Sequence, residues 1–258
     1  MLIDSHCHLD RLDLTPFEND FSRFVESTRK DGIDRMLCVA ICLETLPAML
    51  ELVRDESGIS VSVGVHPNES DCREPTVEEL VELAFSSKVV AIGETGLDYF
   101  RSEKDSEWQH RRFRTHIRAA RQAKRPLIIH TRHASADTLR ILAEENASDA
   151  GGVFHCFTED WDTAKQALDL GFYISFSGIV TFRNAAQIQE VARKIPADRY
   201  LVETDSPYLA PIPHRGKPNY PNYVRHVAEC IAELRNESLE QVAENSTANY
   251  FRLFGVAA

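Results

Sequence analysis

Short runs of β-branched and apolar residues alternate with longer amphipathic segments along the whole chain. The short runs have the length and composition of buried strands. They are Leu2–His6, Arg35–Ala40, Ile59–Val65, Val89–Glu94, Leu127–His130, Gly152–His155, Phe172–Ser175 and Tyr200–Glu203. Between them, apolar residues recur at intervals of three and four, which predicts helices with one buried face. The predicted helices are Phe17–Lys30, Leu43–Asp55, Val77–Ser86, Ser106–Lys124, Ala134–Glu145, Ala164–Leu170, Ala185–Arg193 and Val224–Glu233.

Strands that alternate with helices predict parallel βαβ units joined by right-handed crossovers. Such units close either as a (β/α)8 TIM barrel or as an open doubly wound sheet. An open sheet that binds a nucleotide usually has a glycine-rich turn after its first strand, whereas here that strand runs into His6-Cys7-His8. The 258 residues contain no linker or internal repeat. We therefore predict a single α/β domain over residues 1–258, folded as a TIM barrel.

The composition does not change the predicted fold, but it limits the classes of molecule that the chain is expected to bind. The net charge is −11, so the chain has no general attraction to nucleic acid or to an anionic membrane. A polyanionic substrate would have to be held by local cations or by metal. No apolar run approaches the roughly 18 residues of a membrane span, and the sequence has no secretory signal pattern. We expect a cytoplasmic protein without membrane contact, and no obligate protein partner is evident.

Six cysteines are spread through the chain without a C-x-x-C pair. They are Cys7, Cys38, Cys42, Cys72, Cys156 and Cys230. In a chain of this size without a secretory signal, they predict reduced, buried thiols rather than a disulfide framework.

Potential metal ligands fall at the C-terminal ends of several predicted strands. They are His6, His8, Glu94, His130, His155 and Asp205. In a TIM barrel the strand ends and the βα loops converge on one face, which is where active sites are built. Any one of these residues alone is more simply a hydrogen-bonded core residue or a helix cap. Their shared position predicts a metal site.

The alternation of side chains along a strand supports this interpretation. His6 and His8 are two residues apart, so both can project into the barrel while Cys7 points toward the helices. Glu203 has the same parity as Asp205 and should lie one layer deeper. A buried carboxylate is costly unless it is paired, so we expect Glu203 to orient a ligand or a water molecule.

The mixture of ligand types constrains the metal. Imidazoles together with carboxylates suit Zn²⁺ or Mn²⁺, whereas Mg²⁺ prefers oxygen. The candidates exceed one tetrahedral shell, which suggests two ions that share a carboxylate, and Glu94 is placed to be that bridge. Two ions can activate a water molecule for hydrolysis. Asp205 is then a ligand that also accepts the proton of that water.

The candidate ligands and the segments around them resemble the TatD family of metal-dependent deoxyribonucleases, which are amidohydrolase-like metallo-barrels. The resemblance covers the chain in order and rests on a specific set of segments. The matching segments are Asp4–Asp10, Gly64–Pro67, Gly93–Tyr99, Ile129–Arg132, Gly152–Phe157, Leu201–Leu209 and Pro213–Lys217 with Asn219.

The resemblance implies a TIM barrel that hydrolyses phosphodiester bonds in DNA, as a 3′–5′ exodeoxyribonuclease acting on single-stranded ends. It implies two divalent ions, which the sequence leaves open as Mg²⁺, Mn²⁺ or Zn²⁺. One ion would be held by His6, His8, Glu94 and Asp205, and the other by Glu94, His130 and His155. Asp205, Glu94 and Glu203 are the expected catalytic residues.

Five further positions are candidate substrate contacts. His66 can donate to a phosphate oxygen, ligate a further ion, or only hold its loop. Arg132 and Arg215 can clamp a phosphate through two parallel hydrogen bonds, or pair with a nearby carboxylate instead. Tyr99 and Phe100 can stack on a base or form part of a packed lid.

Two alternatives to a nuclease remain open from the sequence. Metallo-barrels also include amidases, lactonases and deaminases, and the fold cannot decide among them. Many two-metal relatives use a modified lysine as the bridge, and Glu94 in that place favours the phosphodiesterase branch. The other alternative is a metal-binding scaffold in DNA repair with incidental activity. An arginine stripe from Arg111 to Arg125 invites a DNA-binding interpretation, but an outer barrel helix normally presents its charge to water.

Overall fold

The strands form one parallel sheet in which every strand pairs with its neighbours in the chain. The structure is a computed structural model that describes residues 1–101 and 107–256. Within those ranges, the sheet has 8 strands in the order β1 to β8. They are β1 Leu2–Cys7, β2 Ile33–Cys38, β3 Ile59–Val63, β4 Val89–Asp98, β5 Leu127–Arg132, β6 Gly152–Phe154, β7 Tyr173–Phe176 and β8 Tyr200–Val202. The predicted TIM-barrel fold is confirmed.

A helix follows each strand and packs on the outside of the sheet. In the described residues these helices are α1 Phe21–Lys30, α2 Leu46–Leu52, α3 Val77–Leu83, α4 Glu107–Ala123, α5 Ser135–Glu144, α6 Trp161–Asp169, α7 Ala186–Lys194 and α8 Val224–Arg235. Each matches a predicted helix; the predicted start of the fourth, Ser106, lies outside the described residues. Polar caps set several starts: the Asp20 carboxylate accepts from the backbone of Ser22 and Arg23 at the beginning of α1.

One further helix, α9 at Leu239–Phe254, is absent from the sequence prediction. Its Tyr250 and Phe254 are buried against residues inside the barrel, such as Ile3 and Leu201. These strand residues precede the candidate ligands of β1 and β8, so α9 covers the end of the barrel opposite the ligands. The remaining apolar residues form a larger cluster between the strands and the outer helices.

The barrel closes where β1 meets the segment that follows β8. The backbone N–H of Asp205 donates to the carbonyl of His6 at 2.9 Å, and that of His8 donates to the carbonyl of Ser206 at 2.8 Å. A parallel bridge between Cys7 and Ser206 accompanies these bonds. The seam is therefore made by the backbone of candidate metal ligands.

A buried aspartate reinforces the same seam from below. The Asp4 carboxylate accepts from the backbone N–H of Thr204 at 2.9 Å and from its hydroxyl at 2.5 Å. Burial raises the pKa of Asp4 well above its ordinary value, against the lowering effect of these hydrogen bonds. Asp4 thus ties β1 to the residues that lead into Asp205.

The prediction for the cysteines is wrong for one pair. Cys42 and Cys72 form a disulfide, with 6.1 Å between their Cα atoms. They follow β2 and β3, which are neighbours in the sheet, so the fold brings together two positions 30 residues apart that carry no pairing signal in the sequence. Cys7 and Cys38 are free and buried, as predicted, whereas Cys156 and Cys230 are free but only partly buried.

The arginine stripe of α4 is mostly ion-paired rather than free in water. Arg114 and Arg118 contact the carboxylate of Glu145, and Arg121 contacts that of Asp149. These acidic residues lie at or just after the end of the neighbouring helix α5. These three arginines are therefore engaged in ion pairs within the protein. Surface pairs of this kind contribute little to stability.

In the part of the chain that the structure describes, no helix combines the length and the apolar character needed to span a bilayer.

The inner face of α4 carries a buried polar stripe made of Gln109, Arg112 and His116. The Arg112 guanidinium donates to the carbonyl of His66 at 2.8 Å, and Gln109 donates to that of Pro67 at 3.0 Å. The His116 Nε2 accepts from the backbone N–H of Val65 at 2.9 Å. This stripe holds the loop after β3, which carries His66.

His116 makes the stability of the fold depend on pH. Burial lowers its pKa from 6.5 to about 4. The unfolded chain therefore binds a proton more readily than the folded chain between these values. Stabilisation by neutral His116 is complete above pH 6.5 and is lost as the pH falls toward 4. The full difference corresponds to about 3 kcal/mol.

We expect a His116→Gln variant, which keeps an acceptor for Val65, to lose less free energy of unfolding between about pH 7 and about pH 4.5 than the original protein. Urea unfolding at both pH values measures this difference. The other histidines titrate in both proteins, so they cancel in the comparison. Equal losses in the two proteins would show that His116 is not the group responsible.

Candidate metal centre

The candidate ligands converge at the carboxyl ends of the strands, as the barrel requires. They line a cleft of about 650 Å³ whose walls include His8, Glu94, His130, His155 and Asp205. His6 lies directly beneath and is fully buried. The structure therefore brings together all of the residues that the sequence suggests as ligands.

β-Bulges aim two of the strands into this cleft. In β1, Ile3 faces the barrel interior, whereas Cys7, which has the same parity, packs among the outer residues. A register shift between Asp4 and Cys7 accounts for the change. A second shift, between Ile92 and Thr95, falls on either side of Glu94 in β4. Bulges near active sites often re-aim a side chain in this way.

Glu94 lies at the centre of the cluster, and its two oxygens face different histidines. Its Oε2 is 3.4 Å from His6 Nε2 and 3.9 Å from His8 Nε2. Asp205 Oδ1 completes this side, at 3.7 Å from His6 Nε2 and 3.4 Å from His8 Nε2. His6, His8 and Asp205 thus form one group that can hold an ion.

The other oxygen of Glu94 faces a second group of histidines. Its Oε1 is 2.7 Å from His155 Nε2, 3.2 Å from His130 Nδ1 and 3.3 Å from His66 Nε2. Burial favours a neutral Glu94, but the surrounding imidazoles outweigh it and hold its pKa well below the ordinary value. Glu94 is therefore a carboxylate shared between two groups.

The hydrogen bonds of the imidazoles separate His8 from His66. His8 Nδ1 donates to the carbonyl of Val39 at 3.0 Å, which leaves the lone pair of Nε2 free for a metal ion. His66 Nδ1 instead accepts from the backbone N–H of Asn68 at 3.0 Å. A neutral His66 therefore carries its proton on Nε2, and burial lowers its pKa and keeps it neutral. This arrangement suits a donor rather than a ligand.

His6 and His155 are the strongest indication that this cluster is suited to bind a metal ion. Their rings are stacked, with centroids 3.9 Å apart, and both are buried. Among the described residues, neither ring nitrogen of either histidine has a hydrogen bond of acceptable geometry. Buried polar groups are costly without partners. Burial lowers the pKa of His6, and repulsion from His155 adds to this effect, so His6 is a neutral donor that fits a metal ion.

Neighbouring charges shift the pKa values of both Asp205 and His155. Burial opposes ionisation of Asp205, but the neighbouring imidazoles of His8 and His6 outweigh it and lower the pKa of the carboxyl. Burial also opposes protonation of His155, yet Glu94 and Glu203 raise its pKa well above the ordinary value. The negative charges of the carboxylates are thus partly balanced by the neighbouring imidazoles.

Glu203 lies below the cleft and is 1% exposed. Its Oε1 accepts from the backbone N–H of Cys156 at 2.6 Å and lies 3.4 Å from His155 Nδ1. Its Oε2 accepts from the Ser175 hydroxyl at 2.6 Å. With both oxygens occupied, Glu203 is placed to orient His155 rather than to contact a substrate.

Asp98 is a functional candidate that sequence reasoning missed. Its Oδ2 accepts from Asn68 at 2.8 Å and lies 3.1 Å from His130 Nε2. These contacts hold its pKa below the ordinary value, although burial opposes them. The sequence signal was present, because Asp98 is four residues after Glu94 in a strand that is longer than predicted.

The two candidate arginines differ in position. Arg132 lines the cleft, and its guanidinium lies 3.8 Å from the ring centroid of Phe100, which is 56% exposed. Arg215 is stacked in the same way on Phe182, also at 3.8 Å, but it does not line the cleft. The Tyr99 hydroxyl donates to the Asp137 carboxylate at 2.7 Å and lies 2.6 Å from His110 Nε2.

Comparison with known proteins identifies relatives of this arrangement. A protein-family model described as TatD related DNase matches residues 3–255. An Escherichia coli K12 protein named as the uncharacterised metal-dependent hydrolase YcfH is 50% identical over all of this chain and 97% of its own length. The 3′-5′ ssDNA/RNA exonuclease TatD of Klebsiella pneumoniae is 31% identical, over 93% of this chain and 94% of its own.

Solved structures agree with the fold. The crystal structure of YJJV, a TatD homologue from Escherichia coli K12, superposes with a TM-score of 0.91 at 27% sequence identity. The match covers 99% of this chain and 98% of that one. It extends over the whole barrel, including every strand end that carries a candidate ligand.

Gly96 offers a test of how tightly the site is built. A Cβ atom at this position would lie 1.9 Å from the carbonyl oxygen of His130, and the φ angle is +137°. We expect Gly96→Ala to push β4 away from β5, to destabilise the fold by about 3 kcal/mol, and to reduce the metal content of the purified protein. Chemical unfolding and elemental analysis measure the two effects.

Gly151→Ala is the matched control, because Gly151 also has a positive φ, +68°, but no atom within 4 Å of the added carbon. It should cost only the backbone strain, about 1–2 kcal/mol, and leave the metal content unchanged. Equal effects of the two substitutions would contradict the close approach of Gly96 to His130.

Proposed function

The chain belongs to the TatD family of metal-dependent hydrolases, and we propose that it cleaves phosphodiester bonds in DNA as a 3′–5′ exonuclease of single-stranded ends. The observation that carries the proposal is Glu94, a single ionised carboxylate with one oxygen toward each of two histidine groups. A shared carboxylate is one of the arrangements that can serve a pair of ions. The exonuclease named among the relatives supports the choice of substrate.

In this proposal His6, His8 and Asp205 would hold one ion and His130 and His155 would hold the other, with one oxygen of Glu94 available to each group. The mixed nitrogen and oxygen ligands support Mn²⁺ or Zn²⁺ over Mg²⁺. When bound, the ions polarise the phosphate and the attacking water and neutralise charge that develops on the oxygens. The remaining steps are assigned to the side chains of the chain itself.

Asp205 is the proposed general base. It is 14% exposed at the edge of the cleft, and its lowered pKa keeps it ionised and ready to accept the proton of the attacking water. Its contact with His8 fixes the direction of the carboxylate. Glu203 is a positioning residue, since its oxygens are occupied by the backbone of Cys156 and by Ser175.

The substrate is held by donors around the ions. The Nε2–H of His66 points toward Glu94, within the cleft, and is placed to donate to a phosphate oxygen. Arg132 supplies a guanidinium at the rim, and the exposed ring of Phe100 offers a stacking surface for a base. The overall charge of −11 is then no obstacle, because binding depends on these local groups.

Replacing the shared carboxylate tests the catalytic proposal. We expect Glu94→Gln to lower the cleavage of end-labelled single-stranded DNA by at least about 100-fold and to lower bound metal. Glu240→Gln, an exposed change on α9, is the control and should leave both unchanged. Mononucleotides released from the 3′ end from the first time points are the expected products.

Two results would contradict this function. One is full DNA cleavage by the Glu94→Gln protein after contaminating nuclease has been removed. The other is hydrolysis of amide or lactone substrates without DNA cleavage in the presence of Mn²⁺, Zn²⁺ or Mg²⁺, which would favour the metallo-barrel amidases or lactonases instead.

The two arginines allow a matched test of substrate binding. Hydrogen bonds to charged groups contribute about 1.5–3 kcal/mol, so Arg132→Ala should raise KM for single-stranded DNA by about 10-fold or more while kcat changes little. Arg215→Ala removes a similar cation–π stack away from the cleft and should change KM much less. A larger effect at Arg215 than at Arg132 would place the substrate elsewhere.

A further inference from the structure

A second cluster of metal-binding side chains lies outside the centre described above. Cys42 and Cys72 lie in the loops that follow β2 and β3, and they are joined as a disulfide. The carboxylate of Glu44 lies beside them, and the ligand atoms of Cys42, Glu44 and Cys72 are all within 4.8 Å of one another. None of these residues takes part in the proposed hydrolysis.

The contact between Glu44 and Cys42 is unfavourable in the disulfide form. Glu44 Oε2 is 2.6 Å from Cys42 Sγ. A disulfide sulfur carries no proton and a carboxylate carries none near neutral pH, so the two electron-rich atoms repel each other. A proton on a reduced thiol, or a cation between the two atoms, makes the same arrangement favourable.

The surroundings hold Glu44 in this orientation. Its other oxygen, Oε1, accepts from the backbone N–H of Arg73 at 3.2 Å and lies 3.7 Å from the Arg73 Nε. Arg73 therefore occupies one oxygen and leaves Oε2 facing the sulfurs. Contacts of this kind around a ligand are typical of metal sites. Glu69 Oε2, at 4.0 Å from Cys72 Sγ, is a further oxygen on the other side.

We propose that Cys42 and Cys72, once reduced, bind one Zn²⁺ ion, or a divalent transition-metal ion of similar ligand preference, together with Glu44. Two thiolates and a carboxylate are ligands that Zn²⁺ prefers, and a water molecule or Glu69 can take a fourth position. Thiolates on a tetrahedral ion lie about 3.8 Å apart, so the disulfide and the metal-bound form exclude each other. This site is independent of the proposed nuclease function.

Reduction and metal binding convert the disulfide form into the metal-bound form. A dithiol reduces the disulfide, which becomes two thiols while the dithiol becomes a disulfide. Binding of the ion releases the two thiol protons. In the reverse direction the ion leaves and the thiolates take up two protons, and hydrogen peroxide then takes two electrons and two protons from the thiols and is reduced to two waters.

Both forms connect the same two loops at the edge of the cleft. The carbonyl of Ile41, next to Cys42, accepts from the backbone N–H of His66 at 2.9 Å. Glu69, three residues before Cys72, lines the cleft. Either the disulfide or the ion thus keeps the loop that carries His66 against the loop after β2.

Co²⁺ is a suitable probe, because a cobalt–thiolate bond gives a near-ultraviolet charge-transfer band that imidazole and carboxylate ligands do not give. We expect the reduced full-length protein to bind about one more Co²⁺ per chain than the oxidised protein, with this band. The free cysteines are unchanged by the reduction, so the difference between the two forms reports on Cys42 and Cys72.

The double variant Cys42→Ser/Cys72→Ser should lose both the band and the additional Co²⁺, whereas Cys230→Ser, a half-buried free cysteine, should keep them. Glu44→Gln retains both sulfurs and should weaken Co²⁺ binding by about 10-fold, which serves as the test if the double variant does not fold. A reduced protein without the band, or a band that persists in the double variant, would overturn the proposal.

Discussion

The barrel is closed by the backbone of its own candidate ligands. The hydrogen bonds from Asp205 to His6 and from His8 to Ser206 join β1 to the segment after β8. The same bonds set the imidazoles of His6 and His8 opposite the carboxylate of Asp205. Closure and site geometry are therefore one constraint, and a change that opens the seam necessarily separates the ligands. Asp4 adds a buried anchor immediately below.

Much of this could be predicted from the sequence, because it depends on local patterns. The strand–helix alternation indicates a barrel, and a barrel gathers strand ends whatever the loops do. The positions of Glu94 and His130 follow from that rule alone. The sequence does not indicate the bulges, since a register shift depends on how neighbouring strands pair rather than on alternation within one strand.

Other features could not be predicted from the sequence, because they depend on tertiary contacts. Gln109 and Arg112 are polar residues on a helix rich in arginine, and only the packing of α4 shows that they are buried supports for the loop of His66. The helix α9 has a modest apolar pattern, but the open end of the barrel needs a cover and receives it from Tyr250 and Phe254. Tertiary contacts also decide which cysteines meet.

The seam joins parts of the chain that are very far apart in sequence: Asp4 and Thr204 are separated by 200 residues. Joining two positions so far apart costs chain entropy, and folds that depend on distant contacts assemble slowly. The first group of ligands exists only after that contact has formed. An ion bound there would stabilise the completed barrel relative to every partly assembled form, which would couple the supply of metal to the stability of the folded chain.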